Sequence, residues 1–356
     1  MKKGRVKLNT NFQESAKRFS IWWFAFGYFA CYVPYSFMTK VMSKGLLPSL
    51  NGNGLAGFSI LPVTALATTL AMIVVISSLG WWKYATHTKI FGLNLPRPTK
   101  WTFLSGVCTS LIIGTTTLAY TFDGLNIVFA MVLMRGGVLI IGPIVDKITK
   151  RKVRWFAFAG MIFALFALLT SLLDTSGYNV PFMAGVVIAV YLASYFIRFQ
   201  FMSRLAKSEQ ADANKKYFVE EQMTATPMFV VILLLIAIFK IDGITESVRA
   251  GFTFHWNQPY LWALILIGVL SQGTGVFGTL IFLDKSENTY CIPVNRSSSI
   301  IAGVIASLLL ALFYDVNPPA TSQLIGAGLI VLAILFLTIP PSIAKRKQTP
   351  DIKTTI

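Results

Sequence analysis

Runs of about 20 apolar residues recur along this chain between short polar connections, and each is the length an α-helix needs to cross a bilayer. Ten such spans are predicted, over 20–42, 56–79, 101–121, 126–146, 154–173, 181–204, 222–240, 258–282, 289–313 and 319–340. Lipid cannot satisfy backbone polar groups, so spans of this kind must be helical. The expected fold class is an all-α membrane protein. With 55% hydrophobic and 13% charged residues, the chain has too little polar sequence to cover a soluble domain of 356 residues. The first span follows a basic stretch, as a signal peptide would, but its apolar run is too long and no small-residue cleavage site follows. It is expected to remain as a helix.

A net charge of +17 would suggest nucleic acid in a soluble protein. Here the basic residues fall in the connections, so the charge records orientation and no nucleic-acid partner is expected. With both termini on one side, 24 of the 31 Lys and Arg fall on that side. Four (Lys40, Lys44, Lys240 and Arg249) fall on the other. This asymmetry places the termini in the cytoplasm, with residues 1–19 and 341–356 as basic cytoplasmic segments. Short loops and the lack of a transit segment fit a bacterial inner (plasma) membrane. Cys31, Cys108 and Cys291 lie in or beside apolar spans without CxxC spacing, so no metal or disulfide framework is expected.

The two halves of the chain repeat one another. Tyr28, Ala30, Cys31 and Tyr32 lie over Tyr191, Ala193, Ser194 and Tyr195, and Phe37 to Lys40 over Phe201 to Arg204. Gly106, Thr117 and Asp123 match Gly268, Thr279 and Asp284, and continuing at the last offset sets Arg135 against Arg296 and Gly142 against Gly303. Two five-span repeats, 20–173 and 181–340, must then enter the membrane in opposite senses, the architecture of secondary transporters with a midplane site between halves.

Ten spans, cytoplasmic termini, two five-helix halves and this length resemble the drug/metabolite transporter superfamily, over residues 20 to 340. The fourth span runs into a short basic turn (Asp146, Lys147, Lys150, Arg151, Lys152), similar to that family's pattern. Within the superfamily, the sugar-phosphate and nucleotide-sugar branch carries a Lys-Arg pair in the ninth span, its arginine helping to hold a phosphate. Asn295 and Arg296 stand there in this chain, so only the arginine carries over.

The chemistry is expected from residues too polar for their depth. Arg135, Arg198 and Arg296 lie inside apolar spans, with no acid comparably deep, and an ionisable group there faces a cavity, a partner or a substrate. Arg135 is about nine residues into its helix, roughly 13 Å from its start, too deep to reach water easily. Its alternative role is pairing with helix carbonyls or with Asp123 or Asp284. Arg296 follows Pro293, which disturbs the turn before it, and precedes Ser297 and Ser298. A guanidinium fork with nearby hydroxyls suits a carboxylate or phosphate, whereas small serines also serve close helix packing. Arg198, nearer the cytoplasmic end, is expected to extend its head to water. Tyr191 and Tyr195 share its face, and Tyr28, Tyr32 and Tyr35 form a matching stripe, an expected aromatic wall offering hydroxyls to a solute. Gly273, Gly275 and Gly278 spell GxGxxG inside an apolar span, where close packing explains them better than a dinucleotide site. Glu220 and Glu221 are expected at the start of the seventh span, with proton coupling as the less favoured role.

The predicted function is a secondary transporter moving a small organic anion, phosphorylated or carboxylated, by alternating access. Its substrate-binding residues are Arg296, Arg135, Ser297, Ser298, Asn295, Tyr32, Tyr195, Tyr191 and Arg198. Export of amino acids or aromatic metabolites is the first alternative and a membrane enzyme or lipid-handling protein the second. No P-loop or nucleophile-base arrangement favours an enzyme, and His87 and His255 lie in loops on opposite sides. No cofactor is expected. The partners are the lipid bilayer and a small solute, with a monomer or homodimer as the assembly.

Overall fold

The computed structural model describes residues 2–90, 93–122, 127–148, 181–206, 212–239, 243–283, 288–322 and 324–332, with isolated positions between 159 and 170 and at 241 and 335; side chains are described from Ile21. Most of the fifth expected span, part of the tenth, and both Asp123 and Asp284 lie outside the described residues.

The architecture is helical. In chain order come α1 (Lys2–Ser43), α2 (Gly57–Ser78), α3 (Lys100–Ala119), α4 (Ile127–Met131), α5 (Gly137–Ile148), α6 (Phe182–Leu205), α7 (Ala213–Ile238), α8 (Thr245–Thr253), α9 (Leu261–Leu283) and α10 (Asn288–Tyr314). A π-helical turn, Val132–Gly136, joins α4 to α5 in one rod. Among the described residues, seven helices are long and apolar enough to cross a membrane: α2, α3, the α4–α5 rod, α6, α7, α9 and α10.

Polarity is inverted relative to a soluble protein. Trp22, Phe26, Leu70, Val74, Leu312 and Phe313 are exposed, while Lys40, Arg135, Arg198, Glu220, Glu221 and Arg296 are buried. Water would penalise such an apolar surface, and lipid does not. The chain is an integral membrane protein.

Residues 2–19, expected as a basic segment before the first span, form the first part of α1, which runs unbroken for 42 residues. The architecture fits the expected all-α membrane protein, and the connection after α2, expected as a loop, contains a short β-hairpin. Strands β1 (Thr86–Ile90) and β2 (Leu93–Arg97) pair antiparallel, Thr86 against Arg97 and Ile90 against Leu93. Leu93 and Leu95 are exposed and too few to give a buried face, so an anchor is needed to hold the hairpin.

Glu220 supplies that anchor. Its Oε1 accepts from the Thr86 N–H (3.0 Å) and hydroxyl (2.7 Å). Its Oε2 accepts from the Thr99 N–H (3.2 Å) and the Thr102 hydroxyl (2.8 Å). Thr99 and Thr102 also form the capping box that starts α3. One carboxylate thus ties β1 and the start of α3 to α7.

The helices that matter for the site pack in a definite set. α1 lies against α9 and α10, and α6 against α3 and α5. α9 also packs on α2 and α7 on α3, while α2 meets α7 and α4 meets α10. Glycines permit the closest approach: a Cβ on Gly273 would sit 2.6 Å from Cys31 Sγ, and one on Gly278 would sit 3.0 Å from the Tyr28 ring. Both contacts join α9 to α1, which accounts for the two outer glycines of the GxGxxG by helix packing.

Candidate binding cavity

Between α1, α3, α6, α9 and α10 lies a cavity of about 70 Å³, room for roughly five waters. Its wall can be built helix by helix. Tyr28, Tyr32 and Tyr35 come from α1, and Thr109, Ile112, Ile113 and Thr116 from α3. Tyr195 and Arg198 come from α6. Ser271, Thr274, Gly275, Gly278, Thr279 and Phe282 come from α9. Arg135, Gln222 and Asn295 complete it. The spacings of three and four residues are those that put side chains on one helical face.

Arg135 sits on the π-helical turn, which inserts an extra residue and re-aims the side chains around it. Its two terminal nitrogens donate to the hydroxyls of Tyr32 and Tyr191. The guanidinium carbon also lies 5.3 Å from the Tyr32 ring centre and 5.5 Å from that of Tyr191, within cation–π range. Tyr32 continues the network through its hydroxyl to that of Tyr120 at 2.8 Å, and Tyr35 bonds Thr117 at 2.8 Å. Arg135 Nε is buried without a partner.

Arg296 is fully buried on α10. Its guanidinium lies 4.6 Å from the Tyr195 ring centre and 5.5 Å from that of Phe282, and Nη1 is 3.5 Å from the Tyr191 hydroxyl. Nε and Nη2 have no partner. Arg135 and Arg296 therefore converge on one phenol oxygen. Among the described residues, no carboxylate forms an ion pair with either.

Arg198 does not extend to water. It is buried and forms a two-point pair with Glu221, Nε to Oε1 at 2.8 Å and Nη2 to Oε2 at 2.7 Å, with Thr279 at 3.2 Å. Glu221 also accepts from Ser105 (2.8 Å), Tyr217 (2.9 Å) and Thr109 (3.1 Å). The reason for the difference is α7, which starts at Ala213, two turns before Glu221. That places the acid inside the bundle, and the expectation of no acid at arginine depth fails with it.

The remaining expected residues divide. Tyr32, Tyr195, Arg135, Arg198 and Asn295 line the cavity, and Tyr191 supports it from behind through Arg135. Arg296, Ser297 and Ser298 are not in its wall. Ser297 and Ser298 hydroxyls donate to the Val294 carbonyl at 3.1 and 2.9 Å, so their protons are used within α10. Gln222 and the polar faces of α3 and α9 were missed. The signal was present, since Thr109 and Thr116 recur at helical spacing inside an apolar span, as do Ser271 and Thr274.

No family model matches the chain, and no curated protein matches it. A solved structure described as "Crystal structure of protein" aligns over 90% of this chain and 99% of its own, with a TM-score of 0.50 at 13% identity. At that identity the likeness is one of fold alone.

Proposed function

We propose that this protein is a secondary transporter for a small organic anion, resembling the drug/metabolite transporter superfamily, and that it works by alternating access rather than as an enzyme. The reading takes ten spans in two inverted five-helix repeats, with cytoplasmic termini in a bacterial inner membrane. The helix packing supports the repeat. Exchanging α1 with α6, α2 with α7, α3 with α9 and α4–α5 with α10 turns α1·α9 into α6·α3, α1·α10 into α6·α5, and α2·α9 into α7·α3. The contacts α2·α7 and α4·α10 map onto themselves.

One observation carries the anion assignment: Arg135 and Arg296 meet at the Tyr191 hydroxyl with three buried N–H nitrogens unpartnered and no acid paired to either among the described residues. Buried cations are costly unless a counter-charge arrives, and a bound anion supplies one.

The test is uptake of anions into liposomes holding Arg135→Gln or Arg296→Gln protein. Arg135→Gln is expected to lower uptake by about a hundredfold, since a hydrogen bond to a charged group contributes about 1.5–3 kcal/mol and Arg135 lines the cavity. Arg296→Gln, acting from behind Tyr195, is expected to lower it by about tenfold. Undiminished uptake by both variants would sink the reading. Export of aromatic metabolites draws support from the four tyrosines and Phe282 in the wall, and a thermal-shift comparison of aromatic and anionic ligands separates the two.

A further inference from the structure

The cavity wall holds two guanidiniums, and they are not equivalent. Arg198 is cancelled by Glu221, which holds it at two points. Arg135 is held only by neutral hydroxyls and rings. Arg296 raises the potential from behind Tyr195 and Phe282 but is not in the wall, so it offers a ligand there no direct hydrogen bond. A molecule in the cavity therefore meets one uncancelled cation.

The neutral wall offers both acceptors and donors. Thr116 donates its proton to the Ile112 carbonyl (2.7 Å) and Thr274 to that of Ser271 (2.7 Å), so their oxygens are left as acceptors. Gln222, whose Oε1 already accepts from Gln272 (3.2 Å), and the Tyr28 and Tyr195 hydroxyls bring donors. The ligand body must then both donate and accept, as hydroxyls do. An ammonium group would donate too, but among the described residues no acidic side chain lines the cavity, and a second cation beside Arg135 is disfavoured.

We propose that the ligand is a hydroxylated monocarboxylate of sugar-acid type, and that Glu221 is the residue that fixes its charge at one by withholding Arg198. This rests on the anion-carrier reading. The carboxylate takes Arg135, and the hydroxyls donate to Thr116 and Thr274 and accept from Gln222. Loss of the Glu221 charge releases a second guanidinium into the same space and converts the site to one for dianions.

The experiment measures binding to the full-length protein in detergent by thermal shift and calorimetry, with four probes: glucuronate, glucarate, glucose 6-phosphate and alanine. The wild type is expected to bind glucuronate in preference to the other three. Glu221→Gln is expected to raise the ratio of glucarate to glucuronate affinity by about tenfold or more, the value of one charge-assisted hydrogen bond. The double variant Arg198→Gln/Glu221→Gln, which removes both charges together, is expected to keep the wild-type order. Wild-type protein that takes glucarate or glucose 6-phosphate as tightly as glucuronate overturns the inference, as does a folded Glu221→Gln protein with an unchanged ratio. If Glu221→Gln does not fold, a double variant that prefers glucarate overturns it. Failure of every anion to bind wild type removes the carrier reading as well, whereas preference for dianions leaves that reading standing and removes only this one.

Discussion

At the scale of single residues, the site is organised by which charges have partners. Glu221 accepts five hydrogen bonds, two of them from Arg198. Removing one member of a buried pair leaves the other uncompensated, at about 3–5 kcal/mol, whereas replacing both by apolar groups is often neutral. Glu221→Ala is expected to lower the melting temperature sharply, and Arg198→Met/Glu221→Leu to restore most of it. A double variant no more stable than the single one counts against the pair as the origin of the loss. The three buried arginines were legible in the sequence because an ionisable residue within an apolar run stands out without any structure. Their partners were not. Whether Arg198 turns outward or inward depends on how far α7 extends before Glu221, and Lys215 and Lys216 masked that start as a polar connection.

At the scale of elements, seven of the expected spans coincide with helices long and apolar enough to cross a membrane, the start of α7 excepted, while local irregularities do not follow from hydropathy. Nothing in Val132 to Gly136 marks it as a π turn: its residues are as compatible with regular helix, and only packing around Arg135 distinguishes the two. The hairpin was equally obscure. Its strands are short and Leu93 and Leu95 face outward, so no alternating core pattern reveals them, and they are held instead by Glu220. Glu220→Ala strands the Thr86 N–H and hydroxyl, each at about 1–3 kcal/mol if water does not replace the carboxylate, while the Thr99 N–H and Thr102 hydroxyl keep their capping-box partners. The hairpin lies near the surface, so much of that is recovered by hydration, and the expected effect is local. Proteolysis within 86–97 should accelerate, with a modest fall in melting temperature. Unchanged cleavage there would show that other contacts hold β1 and β2.

At the scale of the whole molecule, the inside-out polarity and the basic connections give different information. Exposed Trp22, Phe26, Leu70 and Leu312 define a lipid-facing surface, and the Lys and Arg bias fixes its expected orientation. Cysteines placed at Lys44 and Lys89 should therefore react with an impermeant maleimide from opposite faces of a sealed vesicle. Labelling of both from one face defeats the ten-span topology. Stability should also depend on pH through His255, which lies outside the spans on the segment before α9. It contacts the Tyr260 hydroxyl at 3.0 Å through Nδ1, its Nε2 is buried without a partner, and burial lowers its pKa from the ordinary 6.5. A depressed histidine binds fewer protons folded than unfolded, so stability is full above the ordinary value and falls as pH drops through it toward the folded one. Thermal melts between pH 7 and 5 should show this decline, and His255→Gln should flatten it.

The phenol of Tyr191 holds a position with an electrostatic consequence. One neutral oxygen with two lone pairs stands between two guanidiniums whose mutual repulsion it can soften but not cancel. On the proposed carrier reading, a counter-charge bound beside them would relieve that repulsion, so binding and any closer approach of the helices that bear Arg135 and Arg296 would draw on one electrostatic term.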